Sequence, residues 1–371
     1  MRQFLLKTEI HKFAHFDEFA REFSLGEHDL ILTQEFIYKP FMEKLKLPCQ
    51  VVFQEKYGAG EPTDEMTDAI ARDVSARRYD RVIAVGGGTV IDIAKVLALK
   101  PFEHLTELFD DPARIVKQKE LIIVPTTCGT GSEVTNVSIF ALLSRHTKMG
   151  IANPELTPDY AVLIPELIST LPMKFFLYSS IDALVHSVES YLSPRASVYN
   201  EMFAERSIDI ILKAYQRLLA EGEGIRPEIE EDVLIASNFG GISFGNSGTG
   251  AVHAMSYPLG GTYHVAHGES NYQFFCAVLK RYEQKHDAGK LVALKERLSG
   301  LLGCAPGEAF DQLDALLGRL IEKHKLRDYG MKPEEIERFA KSVIEGQQRL
   351  LVNNFVPLSE EEIADIYRKL Y

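Results

Sequence analysis

The sequence predicts two domains: an α/β domain with a parallel sheet over residues 1–165 and an all-α domain over residues 166–371. Three observations predict this. Short apolar runs alternate with amphipathic stretches up to about Ile164, the pattern of strand and crossover helix. From Pro165 onward, strand-type alternation gives way to long stretches of helical period, as in Met173–Leu192, Asn200–Leu219 and Pro227–Phe239. Pro154, Pro158, Pro165 and Pro172 crowd the junction, where closely spaced prolines interrupt regular elements.

Taken in order, the expected strands are Leu30–Thr33, Val51–Gln54, Arg81–Val85, Leu121–Val124 and Ala161–Ile164. Each is a short apolar run, as strands buried on both faces require. Thr63–Tyr79 reads as a helix capped by Thr63 or Asp64, with Met66, Ile70 and Val74 on one face. Val90–Leu99 reads as a second.

Of the 371 residues 46% are hydrophobic, enough to bury two cores. A net charge of -12 argues against a nucleic-acid partner, because that affinity comes largely from neutralising phosphates. The first residues lack the apolar segment of a signal peptide, and no run is long enough to span a bilayer, so a cytoplasmic protein without a membrane partner is expected. Cys49, Cys128, Cys276 and Cys304 are scattered without a pairing motif and read as buried thiols.

Arg81–Val85 runs straight into Gly86, Gly87, Gly88 and Thr89, and then into the helical stretch that contains Asp92. Glycines after a strand let backbone N–H groups approach a pyrophosphate, and the following helix adds partial positive charge. The spacing is not that of the ordinary Rossmann fingerprint, and a tight turn without a ligand is the plainer reading. A second loop, Pro125 to Glu133, also follows a strand and offers Thr126, Thr127, Thr130 and Ser132. Two such loops converging on one sheet edge make a dinucleotide site the expectation.

Asp182 and His186 lie four apart in a helical stretch, so a carboxylate and an imidazole share a face. Such a pair is often a salt-linked surface, but the flanking Ile181, Ala183, Leu184 and Val185 make the segment apolar, and buried Asp and His need partners. His253 and His267 bracket a Pro258–Gly261 sequence read as a turn, which would bring both histidines to the ends of one loop. Three imidazoles and a carboxylate suit Fe(II) or Zn(II) with coordination positions open to a substrate oxygen. His11, His15, His28, His104, His146, His286 and His324 lack a second ligand at useful spacing.

The motifs Gly86-Gly-Gly-Thr-Val-Ile-Asp92, Pro125 to Thr135, Asp182-x-x-x-His186 and His253 with His267, in that order along essentially the whole chain, resemble those of the iron-containing (group III) alcohol dehydrogenases. The segments Gln54–Gly58, Leu121–Thr127, Tyr257–Gly261 and Glu345–Asn354 also resemble members of that family. The resemblance implies the dehydroquinate-synthase-like fold, with an NAD(P)-binding half and a helical catalytic half that form the active site in their cleft. It implies NAD, with NADP also open, and a metal-dependent hydride transfer between a small alcohol and its aldehyde, the pair expected to bear a carboxylate. It further implies a homo-oligomer, a dimer or larger. By position, Gly87, Gly88 and Thr89 would hold the pyrophosphate, Thr126, Thr127, Thr130 and Ser132 would line the nicotinamide side, and Gln34, Gly86 and Asp92 would also belong to the cofactor site. Lys148 would touch the cofactor, and Asp182, His186, His253 and His267 would hold the metal. Lys148 also reads as an ordinary hairpin charge.

Two positions depart from the family pattern. Where many members carry a proton-transferring histidine, four residues after the third ligand, this chain has Tyr257, and His264 is the other candidate for that role. Where NAD-preferring members carry Asp after the second strand, this chain has Gln34 followed by Glu35. Arg145, Lys148 and Arg349 are the cations considered for a substrate carboxylate. Competing readings are a relative acting on another small alcohol or diol, a dehydroquinate-synthase-like lyase, and a silent binding protein.

Overall fold

The computed structural model describes residues 2–145 and 147–371, so His146 lies outside the described residues. The chain forms two compact units, Leu6–Leu171 and Pro172–Tyr371, the latter joined by residues 2–5.

The first unit contains strands β1 (Glu9–Lys12), β2 (Asp29–Thr33), β3 (Gln50–Phe53), β4 (Arg81–Gly86), β5 (Glu120–Pro125), β6 (Val137–Leu142), β7 (Thr147–Ala152) and β8 (Tyr160–Leu163). Its helices are α1 (Phe16–Glu22), α2 (Glu35–Phe41), α3 (Asp64–Val74), α4 (Gly88–Leu97) and α5 (Thr106–Asp110). Six strands pair in parallel in the order β1-β8-β5-β4-β2-β3, and β6 and β7 form a separate antiparallel hairpin.

Strand alternation distributes side chains to two faces. Leu30, Leu32, Val82, Ala84, Leu121 and Ile123 pack with Met66, Ile70 and Val74 of α3 and Val90, Ile93 and Ala94 of α4. Ile31, Ile83, Val85, Ile122, Val124 and Val162 pack on the other face with Phe16 and Phe19 of α1 and Ile37 and Phe41 of α2. Each fully buried aliphatic side chain contributes about 1.5–3 kcal/mol relative to exposure. Burial on both faces explains why these strands read as continuous apolar runs.

Register sets the working edge of the sheet. Gly86 of β4 pairs with Pro125 of β5, and Leu32 of β2 with Ala84, so the loops after β2, β4 and β5 leave the same carboxyl end. The helix expected to reach Tyr79 ends at Val74, with the hydroxyl of Ser75 donating to the Arg72 carbonyl. The unit runs on through Leu171 because Leu167 and Ile168, which follow Pro165, are fully buried.

The second unit is built of α6 (Met173–Leu192), α7 (Val198–Glu221), α8 (Arg226–Ser247), α9 (Ala251–Tyr263), α10 (His267–Lys285), α11 (Lys290–Leu302), α12 (Ala309–Leu320), α13 (Glu335–Gly346), α14 (Gln348–Leu351) and α15 (Glu360–Leu370). The centre is α6, buried continuously from Ser180 to Leu192. A Cβ on Gly240 of α8 would lie 3.2 Å from the Ala183 carbonyl, so glycine lets α8 approach the middle of α6. Hydroxyls satisfy one another in this tight packing: Ser187 donates to Ser207, and Ser190 shares a 2.7 Å hydrogen bond with Ser243.

The Pro258–Gly261 turn expected from sequence is instead the interior of α9. Proline removes one helical N–H, yet Met255 and Ser256 before Pro258 and Leu259 after it are buried, and packing keeps the helix going. The reversal comes at His264, whose left-handed backbone (φ 55°) closes α9 before α10 begins at His267.

Candidate metal centre and dinucleotide loops

Asp182 and His186 of α6, His253 of α9 and His267 of α10 each present one ligand atom, and these atoms lie within 4.8 Å of one another. Asp182 Oδ1 is 3.7 Å from His253 Nε2 and 3.8 Å from His267 Nε2, and Oδ2 is 4.0 Å from His186 Nδ1. Asp182, His186 and His253 are at most 5% exposed, while the His267 side chain keeps 35% exposure and forms the accessible side. Burial pushes the Asp182 carboxyl up, but the charges of the three histidines and a hydrogen bond from Asn271 outweigh it and hold the group below its ordinary range. The carboxylate is therefore ready as a ligand.

The donor set fits a divalent cation on an observation of its own. Nδ1–H of His253 donates to Glu189 Oε2 at 2.6 Å, which fixes the tautomer and turns the Nε2 lone pair toward Asp182. That Nε2 is buried and has no hydrogen-bond partner, a costly arrangement unless something else binds it. The ring of His186 stacks between Phe244 (4.3 Å) and His253 (4.6 Å), which restricts its rotation.

Glu189 went unread in the sequence although it lies seven residues after Asp182 on the same helix, where two turns restore the face. Its second oxygen accepts from Val252 N at 2.7 Å, so one buried carboxylate ties the first turn of α9 to α6 and orients the ligand that turn carries. Gly268 lets α10 enter: a Cβ there would be 2.3 Å from the Tyr178 carbonyl oxygen. The Glu345–Asn354 segment supports the start of α9, with Asn353 Nδ2 donating to Thr249 O.

Tyr257 lies one turn beyond His253, half-buried, with its ring centroid 6.3 Å from that of His267. His264 is exposed at the helix end.

In the first unit, Gly86 ends β4 and Gly87 caps α4. A Cβ on Gly86 would lie 2.6 Å from that of Val90, so only glycine permits the turn. Thr126 N donates to Gly86 O, joining the two loops, and added Cβ atoms on Gly87 and Gly88 would touch the methyls of Thr127 and Thr130 at 3.4 Å. Thr33 and Thr127, at the carboxyl ends of β2 and β5 on either side of the turn, have buried hydroxyls without hydrogen-bond partners. Free polar groups beside a glycine cradle fit a dinucleotide.

Thr89, Asp92 and Ser132, read from the sequence, shape this edge together with Lys95, which was not. Thr89 donates to Gly60 O and holds the Gly58–Glu61 segment to α4. Asp92 is buried, accepting from Ile139 N at 3.0 Å and from the Ser132 hydroxyl at 3.3 Å. Lys95, one turn along α4, donates to Ser132 Oγ and Val137 O at 2.7 Å. Burial raises the Asp92 carboxyl to about 6 and lowers the Lys95 ammonium to about 8, each opposed by the other's charge. Together they clamp the second loop and β6 to the helix that follows the glycine turn. Lys148, on β7, pairs with Glu61 at 2.6 Å, and Arg145 with Asp110 at 2.6 Å, while Arg349 lies exposed on α14.

The family described as iron-containing alcohol dehydrogenase matches residues 9–165, and the C-terminal domain of the Fe-containing alcohol dehydrogenase family matches residues 176–371. The chain belongs to the iron-containing alcohol dehydrogenases. It is similar to the 4-hydroxybutyrate dehydrogenase of Clostridium kluyveri, 54% identical over the full length of both chains. It is also similar to long-chain-alcohol dehydrogenase 1 of Geobacillus thermodenitrificans, 32% identical over 93% of this chain and 90% of that one. An archaeal alcohol dehydrogenase from a Red Sea brine pool superposes with a TM-score of 0.86 at 21% identity, covering 100% of this chain and 99% of the other, which establishes the shared fold. The chain is thus an oxidoreductase of this family, and no described helix is long and apolar enough to cross a membrane.

Proposed function

We propose that the chain interconverts 4-hydroxybutyrate and its C4 aldehyde, succinate semialdehyde, with NAD and Fe(II). The cluster of buried Asp182, His186 and His253 with half-buried His267, and its orphaned His253 Nε2, carries the reading of a metal-dependent dehydrogenase. The full-length likeness to a 4-hydroxybutyrate dehydrogenase carries the substrate.

Asp182, His186, His253 and His267 hold the cation; Gly86, Gly87, Gly88 and Thr89 take the pyrophosphate, and Thr126, Thr127 and Thr130 line the nicotinamide side. When bound, the metal supplies Lewis-acid polarisation of the substrate oxygen and the nicotinamide accepts or returns the hydride. Glu189 keeps His253 in the binding tautomer, and Asn271 holds Asp182 by its 2.7 Å hydrogen bond. Tyr257, beside the exposed edge of His267, relays the substrate hydroxyl proton toward solvent. Arg145 and Lys148 are engaged with acidic partners, which leaves Arg349 as the sequence-predicted cation for the substrate carboxylate.

The test is an anaerobic panel of 4-hydroxybutyrate, 1,3-propanediol, glycerol and butanol with Fe(II)-loaded enzyme, following reduced nicotinamide. The expected outcome is sustained turnover with 4-hydroxybutyrate at the highest kcat/KM, abolished by His267→Ala. Preferred turnover of an uncharged alcohol would refute the substrate, and absence of net nicotinamide reduction would refute the dehydrogenase.

A further inference from the structure

The coenzyme-facing edge of the first unit carries an acidic group that lies outside the expected position. Reading outward from the glycine turn, the sheet runs β5 on one side and β2 then β3 on the other. A dinucleotide with its pyrophosphate on the turn after β4 and its nicotinamide toward the β5 loop would extend its adenosine over the ends of β2 and β3. With parallel strands spaced about 4.8 Å apart, β3 lies about 10 Å from the turn, within the span of an adenosine ribose.

At the end of β2 the polar groups are already committed or neutral. Gln34 carries no charge and donates through Nε2 to Gln54 Oε1 at 3.2 Å. Gln54 is itself fixed, 2% exposed and donating to Gly58 O at 2.9 Å. The Glu35 carboxylate faces Lys39 at 3.2 Å along α2. Glu55 differs from all three. Its Oε1 accepts from Glu35 N at 2.5 Å, which draws the carboxylate from the end of β3 across to the end of β2. The neighbouring Lys56 ammonium lies over the Phe53 ring at 4.9 Å. One residue before Gln34, the Thr33 hydroxyl is wholly buried without a hydrogen-bond partner, an independent polar vacancy at the same edge.

We infer that Glu55, supplied by the strand beside β2, selects NAD over NADP in this chain. Its carboxylate accepts from the ribose 2′-hydroxyl and repels a 2′-phosphate, the work an acidic residue at the end of the second strand does in other dinucleotide folds. The inference rests on the dinucleotide reading of the glycine turn.

Equilibrium binding of NADH and NADPH to the full-length protein, followed by nicotinamide fluorescence, tests it without turnover. The wild type is expected to bind NADH more tightly. Glu55→Gln should cut that preference by about tenfold or more, the value of a hydrogen bond to a charged group, and Glu55→Arg should reverse it. Glu35→Gln, whose carboxylate already faces Lys39, should leave the preference within about twofold, the scale of an exposed ion pair. An unchanged preference in Glu55→Gln with melting like wild type overturns the inference while leaving the dinucleotide site intact, as does a shift carried by Glu35→Gln. Failure of the wild type to bind either nucleotide overturns the dinucleotide reading and this inference together.

Discussion

Removing Glu189 tests whether the candidate metal centre depends on a carboxylate outside the proposed ligand set. Two buried donors end on this side chain, His253 Nδ1–H at 2.6 Å and Val252 N at 2.7 Å. Glu189→Ala strands both, at about 1–3 kcal/mol each, and frees His253 to take the other tautomer. Loss of such an orienting partner lowers metal affinity about 10–100-fold, equivalent to about 1.4–2.7 kcal/mol. Glu189→Gln keeps the volume and one acceptor but turns an NH2 toward the second donor, so it should fall between wild type and Ala. Chelator competition with Zn(II) at fixed pH measures affinity, and melts of metal-free and metal-loaded protein separate stability from binding. Weaker binding together with a smaller metal-induced rise in Tm is the expected result. If both variants melt lower but bind Zn(II) within twofold of wild type, Glu189 supports the fold alone and the orienting role is refuted.

Tyr257→Phe should lower kcat by about 10²–10⁴-fold, the usual range for a proton-transfer group, while keeping metal content. His264→Ala should change kcat little, and the opposite pattern would move the role to His264. Gly268→Ala drives a Cβ to 2.3 Å from a backbone oxygen and should lower Tm by the equivalent of about 1–3 kcal/mol with loss of metal. Gly261→Ala in α9 meets nothing within 4 Å and should be neutral or stabilising by about 0.5–1 kcal/mol, so equal losses in both variants would refute the close-approach argument. Burial raises the Asp92 carboxyl from 3.8 to about 6, so its contribution to stability is complete below about pH 4 and is lost as pH rises through about 6. Asp92→Asn should remove that slope from urea-melt stabilities between pH 4 and 7, and an unaltered slope would show that Asp92 titrates normally in the fold.

Much of the fold was legible because its cores are periodic. Five parallel strands are apolar on both faces, and the helices that cover them repeat their apolar residues at helical spacing. What escaped lies where burial is partial or packing overrides local preference. The edge strand β1, Glu-Ile-His-Lys, pairs only with β8 and is mostly exposed, so it has no apolar run to show. The hairpin β6–β7 buries alternate positions of Val-Ser-Ile-Phe-Ala-Leu, but its residue types do not alternate with them. Pro258, Gly260 and Gly261 look like a turn and sit in a helix because tertiary contacts hold it. The four residues of the candidate metal centre stood out by their chemistry and the fold brings them together, whereas Glu189 did not stand out, since a glutamate in a helix ordinarily signals a solvated face. Its burial depends on α9, which lies more than sixty residues away in sequence and reaches it only through the fold.

The opening residues belong to the helical unit rather than to the α/β unit they precede. Phe4 stacks on Phe203, Gln3 O accepts from Ser197, and Leu5 exchanges backbone hydrogen bonds with the Asn246 side chain. The α/β unit is therefore a closed excursion within the other unit's chain. On a growing polypeptide, Leu6–Leu171 can collapse on its own core as soon as it emerges, in keeping with domains folding as units. The arm before it cannot settle until Asn246 has been made. Ordered assembly is thus written into the connectivity, with the sheet complete before the helices that bear the candidate metal centre have a finished frame.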